Sequence, residues 1–240
     1  MIRINKYLSM CGVTSRRGAE ALIVEERVTI NNRLVKEQGV MIDEKKDVVR
    51  VDGTEVRPVD QKVFVLLNKP PMVMTTLHDP FKRRTVLHYL EDVPVRVYPV
   101  GRLDYDTEGV LLLTNDGDLA YRLAHPKYEV EKIYEARVVG QFTSEAAKQI
   151  EAGIELEDGT IGRAEVAALS RSKGVSKIRL VLREGRKREV KQLCKAVGHP
   201  VKQLRRVEFA TITTHGLKVG KWRYLTAFEL DRIKALVRLK

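Results

Sequence analysis

GRLDYDTEGVLLLTNDGDLAYRLAHP, residues 101–126, is the densest stretch of the chain and the one on which its reading turns. VLLLT (110–114) is apolar, β-prone and too short for a helix, so it reads as a buried strand. DGDLAYRLAH after it is expected to be helical. Asn115 is the candidate N-cap, and the helix stops before Pro126, because a residue preceding proline is driven out of the helical region. RVYPV (96–100) is expected as a strand on the near side, which leaves a polar loop between two strands. In that loop three acids recur at every second position: Asp104, Asp106 and Glu108. The alternation imitates the start of a calcium loop, but the twelfth position would be Asn115 rather than a bidentate glutamate, and VLLLT is strand, so that reading fails. An ordinary turn explains Asp106 and Gly109. It leaves unexplained why Arg102 and Asp104 bracket Leu103 just where a strand ends.

On the N-terminal side, VFVLLN (63–68) reads as a strand ending at Lys69-Pro70-Pro71; on the C-terminal side, IYEARVVG (133–140) reads as another. TSEAAKQIEAG (143–153) is a helix closed by Gly153, followed by strands near 161–169 and 176–183. GRKREVKQLCKAVG (185–198) reads as a helix with Val190, Leu193 and Val197 on one face. VKQLRRVEFATIT (201–213) is extended. The last helix opens with a capping box, Thr226 to Glu229, and has Phe228, Leu230, Ile233, Leu236 and Val237 as its apolar positions. Strands and helices without strict alternation indicate α+β rather than a doubly wound sheet.

The first 60 residues read as a separate module. Ile4, Tyr7, Leu8 and Cys11 fall at helical spacing, and Ser15 is the expected N-cap of a second helix carrying Ala19, Leu22 and Ile23. VTI, Asn31-Asn32 and LV form one expected hairpin; VVRV, Asp52-Gly53 and TEV form a second. Arg16, Arg17, Arg33 and Lys36 are its basic residues. RPVDQK (57–62) is the expected linker, giving domains of 1–60 and 61–240.

Composition narrows the function. The longest apolar runs are too short to span a membrane, and the N-terminus lacks the pattern of a secretory signal. Cys11 and Cys194 form no pair motif, which fits reduced thiols and a cytoplasmic setting. The net charge is +12, and it is concentrated: residues 163–240 hold 21 basic and 6 acidic groups, while residues 61–162 hold 12 and 16. Such a block suits a polyanion, because each phosphate contact releases counterions. Nucleotide-binding, metalloprotease and serine-hydrolase motifs are absent, and the five histidines are scattered, so no metal or cofactor is expected. A catalytic reading must rest on ordinary side chains. With no sustained heptad pattern, a monomer is the expectation.

With its surroundings, the 101–126 stretch resembles the signature of bacterial rRNA pseudouridine synthases of the RsuA/RluB group. The resemblance runs from about residue 63 to 236 through NKPP (68–71), HDPFKRRTV (78–86), EVEKIYEARVVG (129–140), GIELEDGTIGRAEV (153–166) and EGRKREVKQLCKAVGHPVKQLRRVEFA (184–210). RINKYLSMCGVTSRRGAEALI (3–23) and VTINNRLV (28–35) resemble the RNA-binding domain named after ribosomal protein S-four.

The resemblance implies a mixed, mainly antiparallel sheet with flanking helices, and isomerisation of a flipped-out uridine in rRNA. Asp104 maps onto the nucleophile, since the chemistry needs a carboxylate whether it attacks the sugar, attacks the ring or assists a glycal. Arg102 maps onto the residue that takes the place of the everted base. Tyr134 maps onto the tyrosine that stacks on uracil, Lys191 onto the cation that orients the nucleophile, and Val190 onto an apolar wall of the pocket. Arg186, Lys187, Arg188, Lys195, Lys202, Arg205 and Arg206 are expected to track phosphates, with Arg16 and Arg17 contributing from the first module. The large-subunit (23S) type is the closer resemblance. The alternatives are a small-subunit (16S) enzyme and a non-catalytic assembly protein. One residue departs from the family pattern: Met72 stands where many members carry glycine, so the turn there is expected to differ.

Overall fold

A computed structural model of the protein describes residues 1–239, and the chain divides into two compact units, Met1–Lys62 and Val63–Lys240. No helix among the described residues is long and apolar enough to cross a membrane.

The first unit contains β1 (Ile2–Arg3), α1 (Ile4–Met10), α2 (Arg16–Val24), β2 (Val28–Ile30), β3 (Arg33–Leu34), β4 (Met41–Ile42), β5 (Val49–Val51) and β6 (Thr54–Glu55). The Ser15 hydroxyl caps α2 by accepting from the Gly18 N–H at 3.0 Å. Asn31-Asn32 and Asp52-Gly53 all have positive φ, as two-residue hairpins require, and they close β2–β3 and β5–β6 within the sheet β3-β2-β5-β6. Ile4, Leu8, Ala19, Ile23, Val28, Ile42 and Val49 form the core of this unit. The pairing of β1 with β4 has no counterpart in the sequence reading, because two-residue strands show no alternation.

The second unit runs β7 (Phe64–Lys69), β8 (Tyr98–Pro99), β9 (Glu108–Thr114), α3 (Gly117–Ala124), β10 (Lys132–Val139), α4 (Ser144–Ala152), β11 (Ile154–Glu155), β12 (Ile161–Gly162), β13 (Glu165–Ser170), β14 (Val175–Leu182), α5 (Glu189–Ala196), β15 (Val201–Phe209), β16 (Ile212–Thr213), β17 (Trp222–Tyr224) and α6 (Ala227–Leu236). Its sheet has the order β13-β14-β10-β15-β9-β7-β17, with β16 beside β15 and β8 beside β9. All neighbours are antiparallel except β15 and β9, which run parallel through Arg205 opposite Glu108 and Arg206 opposite Gly109. The rest of that β9 edge turns to β8 at Leu113 and Thr114. The sheet is thus two halves joined by a short parallel contact.

The halves are covered differently. On β13-β14-β10-β15, Ala136, Val138, Ile178, Leu180 and Leu204 pack under α4 and α5 with Ile150, Leu193 and Cys194. On the other half, strand alternation feeds both faces. Leu66 and Leu112 meet α3 and α6, while Val65, Leu67, Leu111 and Leu113 meet the 73–103 segment through Val73, Val86 and Leu90.

Four local expectations are corrected. The N-cap of α3 is Asp116, which accepts from the Asp118 and Leu119 N–H groups, while the Asn115 side-chain Oδ1 accepts from the Val63 N–H at 2.9 Å. The 185–198 helix starts only at Glu189, because Arg188 sits at φ +53°. The 161–169 strand breaks in two, since β12 pairs with β11 and not with the main sheet. The capping box of α6 forms, but Phe228 and Leu236 are exposed, leaving Ile233 and Val237 as the buried stripe.

Candidate active site

The 101–107 loop lies where the two halves of the sheet meet, and backbone anchors fix it. The Thr75 hydroxyl donates to the Leu103 carbonyl at 2.7 Å. The Lys69 ammonium, fully buried, donates to the carbonyls of Pro70 (3.1 Å), Asp104 (3.2 Å), Tyr105 (3.4 Å) and Thr107 (2.8 Å). Burial pulls the Lys69 pKa down from its ordinary value to about 8, against the attraction of the Asp106 and Asp104 carboxylates. The sequence reading missed Lys69 as a functional residue. The available signal was a lysine closing an otherwise apolar strand just before two prolines.

With its backbone held from below, the loop presents the Asp104 side chain to α5. The Lys191 ammonium lies 3.0 Å from Asp104 Oδ2 and also donates to Asp106 Oδ1. Its side chain is 12% exposed, against 33% for Asp104 and 60% for Asp106. Burial pushes the Asp106 carboxyl up, but the Lys191 hydrogen bond and charge more than offset this and hold it below the ordinary value. Beside Asp104 is a cavity of about 60 Å³ lined by Arg102, Thr107, Tyr134, Val190 and the 184–188 turn. The Thr107 hydroxyl is buried there without a hydrogen-bond partner among the described residues.

The 184–188 turn holds Arg186 and Arg188. Arg186 pairs with Glu184 at 2.7 Å and donates to the Ile161 carbonyl. The buried Glu189 accepts from the Arg186 N–H at 3.0 Å, and burial raises its pKa. Arg102, Asp104, Tyr134, Val190, Arg186, Arg188 and Lys191 are therefore brought together.

Other expected residues are not. Arg205 lines a separate groove and bonds Thr214. Arg206 was expected to contact phosphate, and this is corrected: it is 2% exposed, its Nε donates to the Val110 carbonyl at 2.8 Å, and its guanidinium lies over the Phe209 ring. Arg16 and Arg17 are exposed on the first turn of α2 in the other unit. Met72 adopts φ +61°, so the backbone angle expected of glycine is kept with a methionine in it.

A carboxylate, an ammonium and a phenol around one cavity suit nucleophilic and acid–base chemistry on a neutral ring. Comparison with known proteins agrees with this reading. Residues 63–196 match the RNA pseudouridylate synthase family. The chain is 44% identical over 241 residues to an uncharacterized RNA pseudouridine synthase of Aquifex aeolicus, covering 100% of this chain and 96% of that protein. It is 42% identical over 238 residues to ribosomal large subunit pseudouridine synthase B of Bacillus subtilis, covering 98% and 97%. A crystal structure of pseudouridylate synthase superposes with a TM-score of 0.70 at 26% identity, covering 97% of this chain and 100% of that one. The protein belongs to the RNA pseudouridylate synthase family and is an enzyme that converts uridine to pseudouridine in RNA.

Proposed function

We propose that the protein isomerises a uridine of large-subunit ribosomal RNA, with Asp104 as the nucleophile. The observation that carries the assignment is the 3.0 Å contact of Lys191 with Asp104 at the wall of the Tyr134 cavity. In the reaction the glycosidic bond to N1 breaks, the sugar bonds to C5, the C5 proton leaves and N1 gains a proton. The atoms balance with no redox partner. Asp104 acts while ionised and oriented by Lys191. Tyr134 stacks on the uracil, and Val190 walls it in. Arg102 holds the gap left in the RNA, and Arg186 and Arg188 meet its phosphates. Large-subunit RNA is favoured by the Bacillus subtilis relative and by the large subunit synthase B of Vibrio cholerae, 36% identical over 245 residues. The unit Met1–Lys62 serves as an S-four-like RNA-binding domain, with Arg16 and Arg17 on phosphate.

Asp104→Asn is expected to abolish tritium release from RNA labelled at uracil C5 while RNA affinity stays within a few-fold. Full activity in that variant would sink the assignment. Mapping pseudouridine in both rRNAs of cells lacking the protein tests the subunit: loss of a 16S modification alone would overturn the large-subunit reading.

A further inference from the structure

The sheet that carries Tyr134 has a second side. On β10, β14 and β15, the residues alternating with the α4 and α5 core include Glu135, Arg137, Lys177, Arg179, Gln203 and Arg205, with Ile133 and Val181 in the next row. Arg137 stands opposite Lys177 on one neighbour and Gln203 on the other, and Glu135 stands opposite Arg179 and Arg205. Among the described residues no helix covers these side chains: Arg137, Lys177, Arg179 and Gln203 are all exposed. Four cations and one acid therefore occupy two adjacent rows. Like charges directly opposite on neighbouring strands are destabilising, as with Arg137 and Lys177. Lys177 has a partner in Glu135 at 2.7 Å, but neither Arg137 nor Arg179 forms an ion pair among the described residues. The Arg205 Nε is buried without a hydrogen-bond partner among the described residues.

This face floors a groove of about 650 Å³, whose far wall is Pro71, Met72, Asp106 and Glu108. It is roughly ten times the cavity beside Asp104, and the two have only Leu204 in common among their lining residues. We propose that the groove is a second RNA-binding site, taking a single-stranded stretch of the substrate away from the target uridine. The inference rests on the RNA-modifying function. Phosphates lie on the Arg137, Lys177 and Arg205 floor, which is cationic enough to release counterions. The ribose 2′-hydroxyls face the Asp106 and Glu108 wall, because carboxylates accept hydrogen bonds and RNA supplies the donors there. An acidic protein surface satisfies the floor but meets repulsion at the wall.

The test uses the full chain with Arg137→Gln and Lys177→Gln combined, both at exposed positions that line the groove and not the Asp104 cavity. The probes are an rRNA transcript and a single-stranded oligoribonucleotide with its 2′-deoxy counterpart. The double variant is expected to bind the transcript about tenfold more weakly. The slope of log affinity against log salt should fall by about 1.4, at about 0.7 for each phosphate that is no longer neutralised. The rate at saturating transcript is expected to be unchanged. The unaltered protein is expected to prefer the ribo-oligonucleotide, and Glu108→Gln to reduce that preference. Arg137→Lys with Lys177→Arg is expected to restore affinity. Unchanged affinity and slope in the glutamine variant overturn the groove. So does weakened binding of a poly-glutamate peptide alone. If the unaltered protein forms no pseudouridine in any rRNA, the functional reading fails, and the groove fails with it.

Discussion

Lys191 is one ammonium shared between two carboxylates, and the two do not matter equally. Asp104 is the more enclosed partner, and Asp106 is mostly in solvent, where an ion pair contributes little. Asp106→Asn is therefore expected to change single-turnover tritium release by less than about fivefold, the scale of an exposed pair. Lys191→Met leaves two acids facing each other without a cation, and is expected to slow the reaction by about 10²–10³-fold, the usual cost of losing a preorganised electrostatic group. Equal losses would mean that Asp106 shares the work of Asp104. The Asp104 and Lys191 positions were legible from the sequence through their motif. Lys69 and Thr75 were not, because they act on loop carbonyls and amides that only the fold brings near. Arg206 was misread because the run LRRVEF gives a count of charges and not the face each one takes. The period of two in β15 puts Arg206 on the side of Leu204, into the interior.

Among the secondary-structure elements, the ends of helices decided what the sequence could tell. Where one short motif carried the signal, as with Ser15 and the Thr226–Glu229 box, the caps form as read. Where several residues competed, as in TNDGD, the choice between Asn115 and Asp116 depended on the remote Val63 amide. The start of α5 was hidden for a related reason. Arg188 is a good helix former, and only its left-handed backbone stops the helix. The α6 cap yields a pH-dependent expectation. Glu229 closes the capping box and also makes two 2.7 Å bonds to Arg223, which together hold its pKa down at about 2. A carboxyl depressed in the folded state stabilises above its unfolded pKa and loses that contribution as pH falls through the folded value. Glu229→Gln should therefore lower stability by roughly 1–2 kcal/mol at neutral pH, in the range of a lost cap. The gap between variant and parent in urea midpoint should narrow between about pH 4.5 and pH 2. A gap that stays constant down to pH 2 would mean the stabilisation is not electrostatic.

Across the catalytic unit as a whole, the weak link in the architecture is also the site. The unusual parallel contact of β9 with β15 lets two antiparallel halves meet beside the 101–107 loop. Strand alternation made each half readable, but their joining pairs segments distant in the chain, and nothing local marks it. Gly109 allows it. Its φ is +108°, and a Cβ there would lie 2.1 Å from the Arg206 carbonyl oxygen, a backbone atom with no freedom to swing aside. Gly109→Ala is accordingly expected to destabilise the protein by about 3 kcal/mol or more, combining left-handed strain with a steric clash. The damage should also have a direction. Pushing β15 away from β9 moves the α5 half from the Asp104 loop, so Lys191 and Asp104 separate even in molecules that stay folded. At a temperature where circular dichroism reports full folding, tritium release should still fall by at least about tenfold, because electrostatic catalysis depends on such distances. If folded Gly109→Ala keeps parental activity, the junction is merely structural, and the placement of the Asp104 loop must be fixed by Lys69 and Thr75 alone.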